Sequence, residues 1–224
     1  MKPRFVLPCL LLATLVPFLV PAGHGNAARS TPATTAATSQ TPLHLLPTAW
    51  DSDHRFELKS TTFEDHQFIP ASMVFNGQLG SVCTGGNESP ELSWTPGVRG
   101  TRSYAVTLYD VTANFAHWGM YNIPATTTEL AVNAGAPGNG LQVFNDALIQ
   151  GYSGPCPPPD LVPDGIHSYV FTVYALDKEL NLTVSPDFPP AADGLYRGMI
   201  GHVLEQASIT GLFGCTDQNA NACN

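Results

Sequence analysis

The sequence predicts a mainly β domain of the sandwich type, and three observations carry that reading. Two runs, SYAVTLYD (103–110) and HSYVFTVYAL (167–176), are dense in β-branched and aromatic side chains and are bounded by turn residues. Twenty prolines and twenty glycines fall mostly between such runs, as long connections between strands require. Only one segment, GLYRGMIGHVLEQA (194–207), sets apolar residues at helical spacing, with Leu195, Met199, Val203 and Leu204 on one side.

In chain order, FELKS (56–60), HQFIP (66–70) and ELSW (91–94) are short strand candidates ahead of the 103–110 run. AHWGMYNIP (116–124) is a further strand, and Pro124 stops it because proline has no N–H to give a ladder. The 167–176 run follows, then the expected helix over 194–207, and ASITGLF (207–213) is the last strand. No internal repeat is visible, and the patterned region, roughly residues 50–215, has the length of one domain.

The N-terminus reads as an export signal. Lys2 and Arg4 precede an almost wholly apolar stretch from Phe5 to Val20, and Gly25 and Ala27 fit cleavage after Ala27. The apolar stretch is short for a bilayer and is broken by Pro8 and Pro17, which argues against a stable membrane span. Residues 28–49 read as a linker: 28–42 are mostly Ala, Ser, Thr and Pro, with too little apolar surface to offset chain entropy. The domain itself is then 50–224, in a secreted or periplasmic protein. Loss of residues 1–27 leaves seven basic against eighteen acidic residues, a net charge of −11. That balance offers no footprint for nucleic acid and would be repelled by an anionic membrane surface.

After cleavage four cysteines remain, and an even count in an exported chain implies disulfides, with three possible connectivities. Cys215 and Cys223 are close enough to close a small C-terminal loop, which leaves Cys83 with Cys156. No Cys-x-x-Cys or other zinc spacing occurs.

Asp110, His117 and His167 all fall at or near strand ends. An acid and two imidazoles so placed suit a phosphate or carboxylate: the imidazoles donate hydrogen bonds, and the carboxylate fixes a tautomer. Nothing in their spacing demands a metal. Ser153 lies in Gly151-Tyr152-Ser153-Gly154-Pro155, where the second glycine comes one position too early for a nucleophile elbow and prolines follow where a helix should begin. It is expected to be a turn residue at a pocket rim. The other histidines, His44, His54, His66 and His202, are read as structural or exposed.

Four segments in order, GGNESPELSW (85–94), YAVTLYDVTANFAHWGMYNIPA (104–125), GYSGPCPPP (151–159) and HSYVFTVYAL (167–176), resemble the phosphatidylethanolamine-binding proteins, most of all their bacterial Raf-kinase-inhibitor-like branch. The similarity runs from about Phe56 to Phe213. It implies a β-sandwich with a large central antiparallel sheet, a C-terminal helix beside it, and a small anion pocket at one end of the sheet. Carried over, Asp110 is the first acid of the family's D-P-D-A-P segment and His117 the histidine of its H-W element. Pro157 and Pro158 are its paired prolines, and His167 and Tyr169 the histidine and tyrosine of its last segment.

Two departures stand out. D-P-D-A-P appears as Asp110-Val111-Thr112-Ala113-Asn114, without its second acid and prolines, so φ in that loop is no longer fixed by proline. Ser168 stands where an arginine is usual, which removes a cation near the mouth. A Cys83–Cys156 bridge would tie two loops at the pocket end and pre-order them. The expected function is a non-enzymatic binding module, without cofactor, for a phosphate or phospholipid headgroup; an inhibitor or signalling effector acting on a protein partner is the alternative, and a hydrolase the remote one.

Overall fold

The computed structural model describes residues 55–77, 83–157, 165–182 and 191–215. The expected signal segment 1–27, the linker 28–49, Pro158 and Cys223 lie outside the described residues.

Two sheets and one α-helix build the described domain. Strands β1 (Leu58–Lys59), β3 (Leu92–Trp94) and β6 (Glu129–Leu130) form a small sheet in the order β1-β3-β6. The large sheet has six strands in the order β2-β9-β8-β4-β5-β7, with β2 (Gln67–Phe68), β4 (Ser103–Asp110), β5 (Phe115–Pro124), β7 (Leu141–Gln142), β8 (His167–Leu176) and β9 (Val203–Phe213). All its pairings are antiparallel except the short β2–β9 edge, which is parallel.

Alternation along β4 and β8 gives the large sheet two buried faces. Tyr104, Val106 and Leu108, with Tyr169, Phe171 and Val173, pack with Leu58, Leu92 and Trp94 of the small sheet into the main core. On the opposite face Ala105, Tyr174 and Leu176 meet Leu195 and Met199 of helix α1 (Ala192–Met199). Both strands therefore read as continuous apolar runs, as strands covered on two sides do.

The helix ends earlier than its spacing predicts. Instead of continuing to 207, the chain turns at Gly201, whose φ of 75° is costly for any residue with a Cβ, and His202 N–H closes on Met199 O at 2.9 Å. Val203 and Leu204, assigned to the helix from sequence, instead open β9, which pairs with the whole of β8. Ten paired residues of ladder outweigh the helical propensity of four or five. His202 consequently sits in the turn, bonded to Asp177.

Candidate functional site

Asp110 is the last residue of β4 and pairs with Tyr169 on β8. His167, two residues earlier on β8, shares Tyr169's face. All three are buried, with 2%, 0% and 1% exposure for Asp110, Tyr169 and His167. Asp110 Oδ1 accepts the backbone N–H groups of Thr112 (2.9 Å) and Ala113 (3.0 Å), while Oδ2 accepts from His167 Nδ1 at 2.6 Å. With the carboxylate as acceptor, the His167 proton is fixed on Nδ1 and Nε2 is turned to the site.

His117 reaches the same place through a β-bulge. Leu108 pairs with Trp118 but the next residue, Tyr109, pairs with Ala116, so His117 is the extra residue on β5. A bulge lets two successive side chains face one side. Trp118 packs in the main core and His117, its neighbour, meets the Tyr169 ring edge-on at 5.3 Å. His117 Nδ1 donates to Ser153 O at 2.9 Å, and Ser153 N–H donates back to His117 O at 3.2 Å. Asn145, itself buried, adds a bond from Nδ2 to His117 O at 3.0 Å. Burial pulls the His117 pKa below the usual imidazole value, against the Ser153 carbonyl and the Asp110 and Asp146 charges, which push it up, and with His167, which lowers it.

Tyr169 lies between the two imidazoles, stacked on His167 at 6.2 Å. Burial, then the Asp110 charge, raises its pKa, so it stays a neutral O–H donor. Its hydroxyl and His167 Nε2 are both buried and make no hydrogen bond of ordinary geometry among the described residues, although the hydroxyl lies close enough to Asp110 to interact with it.

The segment after Gly151 is the fourth wall. Tyr152 donates to Met73 O, Gly154 N–H to Asn87 Oδ1, and Phe75 N–H to Pro155 O. A Cβ on Gly154 would lie 2.2 Å from Met73 O, so only glycine allows this approach. The Cys83–Cys156 bridge, with Cα atoms 5.8 Å apart, locks the segment to the chain before Gly85. Cys215 is also disulfide-bonded; its expected partner, Cys223, lies outside the described residues.

Of the site residues expected from sequence, the structure joins Asp110, His117, His167 and Tyr169. Pro157 is buried one residue past the bridge, without a hydrogen bond or ring contact to those four. Ser153 is more than a turn residue: its carbonyl sets the His117 tautomer. Sequence reasoning missed that acceptor, the bulge and Asn145; a backbone carbonyl leaves no signature in residue types.

The loop after Asp110, stripped of prolines, is tied by hydrogen bonds instead. Val111 N–H donates to Ser168 O, Ser168 N–H to Thr112 Oγ1, and Tyr109 O–H to Asn114 Oδ1. Asn114 has a φ of 57°, which proline excludes and asparagine tolerates. The two departures thus meet: Thr112 and Ser168 bond one another.

A groove of about 850 Å³ lies on the other face of the large sheet, lined by Thr107, Tyr109, Tyr174, Tyr196 and Arg197 among others. It contains none of the four clustered residues. Of the three buried side-chain atoms without a hydrogen-bond partner among the described residues, two, His167 Nε2 and Tyr169 Oη, fall in the cluster, and the third is Trp94 Nε1 in the main core. Among the described residues no group of three or more His, Cys, Asp or Glu side chains could hold a metal ion.

The sequence profile of phosphatidylethanolamine-binding proteins matches residues 59–214. The chain belongs to the phosphatidylethanolamine-binding protein family. Within it, the UPF0098 protein YbcL of Escherichia coli (strain K12) is 40% identical over 134 residues, 55% of this chain and 70% of YbcL. A UPF0098 protein of Methanothermobacter thermautotrophicus (strain Delta H) is 38% identical over 70% of this chain and 97% of its own. The crystal structure of E. coli YbcL, described as a new member of the mammalian PEBP family, superposes with a TM-score of 0.60 at 32% identity, covering 72% of this chain and 99% of that one. These family matches support the bacterial YbhB/YbcL-type branch and the mainly β fold with its C-terminal helix.

Proposed function

We propose that this chain is an exported, non-enzymatic binding protein that takes a small phosphate-bearing anion, free or as a headgroup, at the cluster of Asp110, His117, His167 and Tyr169. The observation that carries this reading is the pair of buried, unpartnered polar atoms, His167 Nε2 and Tyr169 Oη. Leaving such an atom unpaired costs about 1–3 kcal/mol, which a ligand oxygen would recover at Tyr169 Oη and a ligand O–H, or protonation of the ring, at His167 Nε2. His117, 8% exposed, is the least buried of the four. Asp110 does not face the ligand as a binder; it holds His167. Export is supported by the N-terminal signal pattern and by the Cys83–Cys156 bridge, which suits an oxidising compartment.

Calorimetric titration with inorganic phosphate tests it. Wild type should bind, and His117→Ala should lose about 1.5–3 kcal/mol of binding, the range for a hydrogen bond to a charged group. Because His117 is buried and bonded to Ser153 O, urea unfolding of the variant is read alongside, to show that it is folded at the titration temperature. Equal, weak binding by both proteins would show that the cluster holds no anion.

A further inference from the structure

The groove on the other face of the large sheet has aromatic walls. Strands β4 and β8 supply Tyr109 and Tyr174 to it, and helix α1 supplies Tyr196 and Arg197. The Tyr109 and Tyr196 rings stand at 88° to one another, with centroids 6.4 Å apart. In an edge-to-face pair the ring that gives its edge keeps both faces clear of its partner, and a ring face carries the negative part of the quadrupole. Two perpendicular rings make a corner suited to a positive group.

The fixed charges point the same way. Two carboxylates, Asp146 and Asp193, and one cation, Arg197, line the groove, which leaves one negative charge (2 − 1 = 1). Arg197 is paired with Asp193 at 2.6 Å, whereas Asp146 forms no ion pair among the described residues. Asp146 Oδ2 accepts the Ala116 N–H at 2.8 Å. Its charge also reaches both phenols: burial and then Asp146 raise the Tyr109 pKa, and burial raises that of Tyr196, with Asp146 among the smaller causes. The free carboxylate therefore stands beside the aromatic corner. Val111 and Ile200, which also line the groove, are exposed large apolar side chains. A metal ion gains nothing from such a rim; alkyl groups on an organic cation do.

We propose that this groove is a second binding site, independent of the anion cluster, for a small quaternary ammonium cation. Its charge is held by the Tyr109 and Tyr196 rings and by Asp146, and its alkyl groups rest on the apolar rim. A quaternary nitrogen has no N–H, so it asks for no hydrogen bond that ring faces cannot accept. The groove's volume of about 850 Å³ is that of a small-ligand site, and the chain's net charge of −9 attracts free cations.

The test is calorimetric titration of the mature protein with choline chloride at low salt, beside neohexyl alcohol, the uncharged carbon isostere of choline. Choline should bind about tenfold more tightly than the alcohol, and added salt should narrow the gap by screening Asp146. Asp146→Asn keeps an oxygen for the Ala116 N–H and should weaken choline up to about fivefold while leaving the alcohol unchanged. Tyr196→Leu should weaken choline by about fivefold or more, whereas Tyr196→Phe, which keeps the ring, should stay near wild type. Saturating phosphate at matched ionic strength should not displace choline, since the groove contains none of the four clustered residues. Equal affinity for choline and the alcohol, no choline binding, or displacement by phosphate would each overturn the proposal. So would choline affinity unchanged in both Asp146→Asn and Tyr196→Leu.

Discussion

Tyr169 is the residue whose two roles can be separated by one atom. Its ring fills the space between two imidazoles, while its hydroxyl is buried without a hydrogen bond of ordinary geometry. Tyr169→Phe keeps the ring and removes the orphan, so folding should be unchanged or stabilised by up to about 1 kcal/mol. Phosphate binding should weaken about tenfold, the loss of a hydrogen bond to a charged group. Urea unfolding and calorimetry on one preparation read both. A destabilised variant with undiminished binding would make the hydroxyl structural. At this scale Asp110, His117 and His167 were legible because they end or begin patterned runs, and Tyr169 because it sits in a family segment. Ser153 was read only as a turn, since the atom that matters is its carbonyl oxygen, which every residue has.

At the scale of elements, the site depends on an irregular β5 and on a loop pressed close to its neighbours. The bulge brings His117 to the side that Trp118 already occupies, and Ser153 holds it there. Ser153 is in turn placed by Gly154, packed against Met73 and Phe75. Gly154→Ala should displace this segment and cost on the order of 1–3 kcal/mol in stability, as overpacking does. Phosphate affinity should fall with it, although no ligand contact is removed. A variant with wild-type stability and affinity would mean the segment accommodates a Cβ and does not position His117. The long strands were legible, 103–110 and 167–176 to the residue, because pattern and turn signals agree there. The helix was overextended because Val203 and Leu204 fit a helical period as well as a strand, and only pairing with β8 decides between them. The two-residue strands β6 and β7 carry no period at all and are set by their neighbours.

For the whole molecule, two cores clamp one large sheet, and the site sits at the end of that sheet where β4, β5 and β8 meet the bridged loops. The Cys83–Cys156 bridge closes a 73-residue separation, which in the loop-closure account contributes roughly 4 kcal/mol. Acid stability follows from His117. Its folded pKa lies below the unfolded value of about 6.5, so as pH falls through that value the unfolded chain takes up a proton first. Stability from this group is therefore complete above about pH 6.5 and declines below it until the folded ring titrates. Between about pH 7.5 and 5.5 wild type should lose more unfolding free energy than His117→Gln, measured by urea denaturation. Parallel curves would mean His117 is as easily protonated folded as unfolded.

The most direct measurement is a crystal of the mature protein soaked with phosphoethanolamine. The cluster predicts a phosphate with one oxygen within hydrogen-bonding distance of Tyr169 Oη and others at the Nε2 atoms of His117 and His167, with Asp110 still bonded to His167. Clear density for the ligand elsewhere, or an unoccupied cluster at saturating ligand, would contradict it.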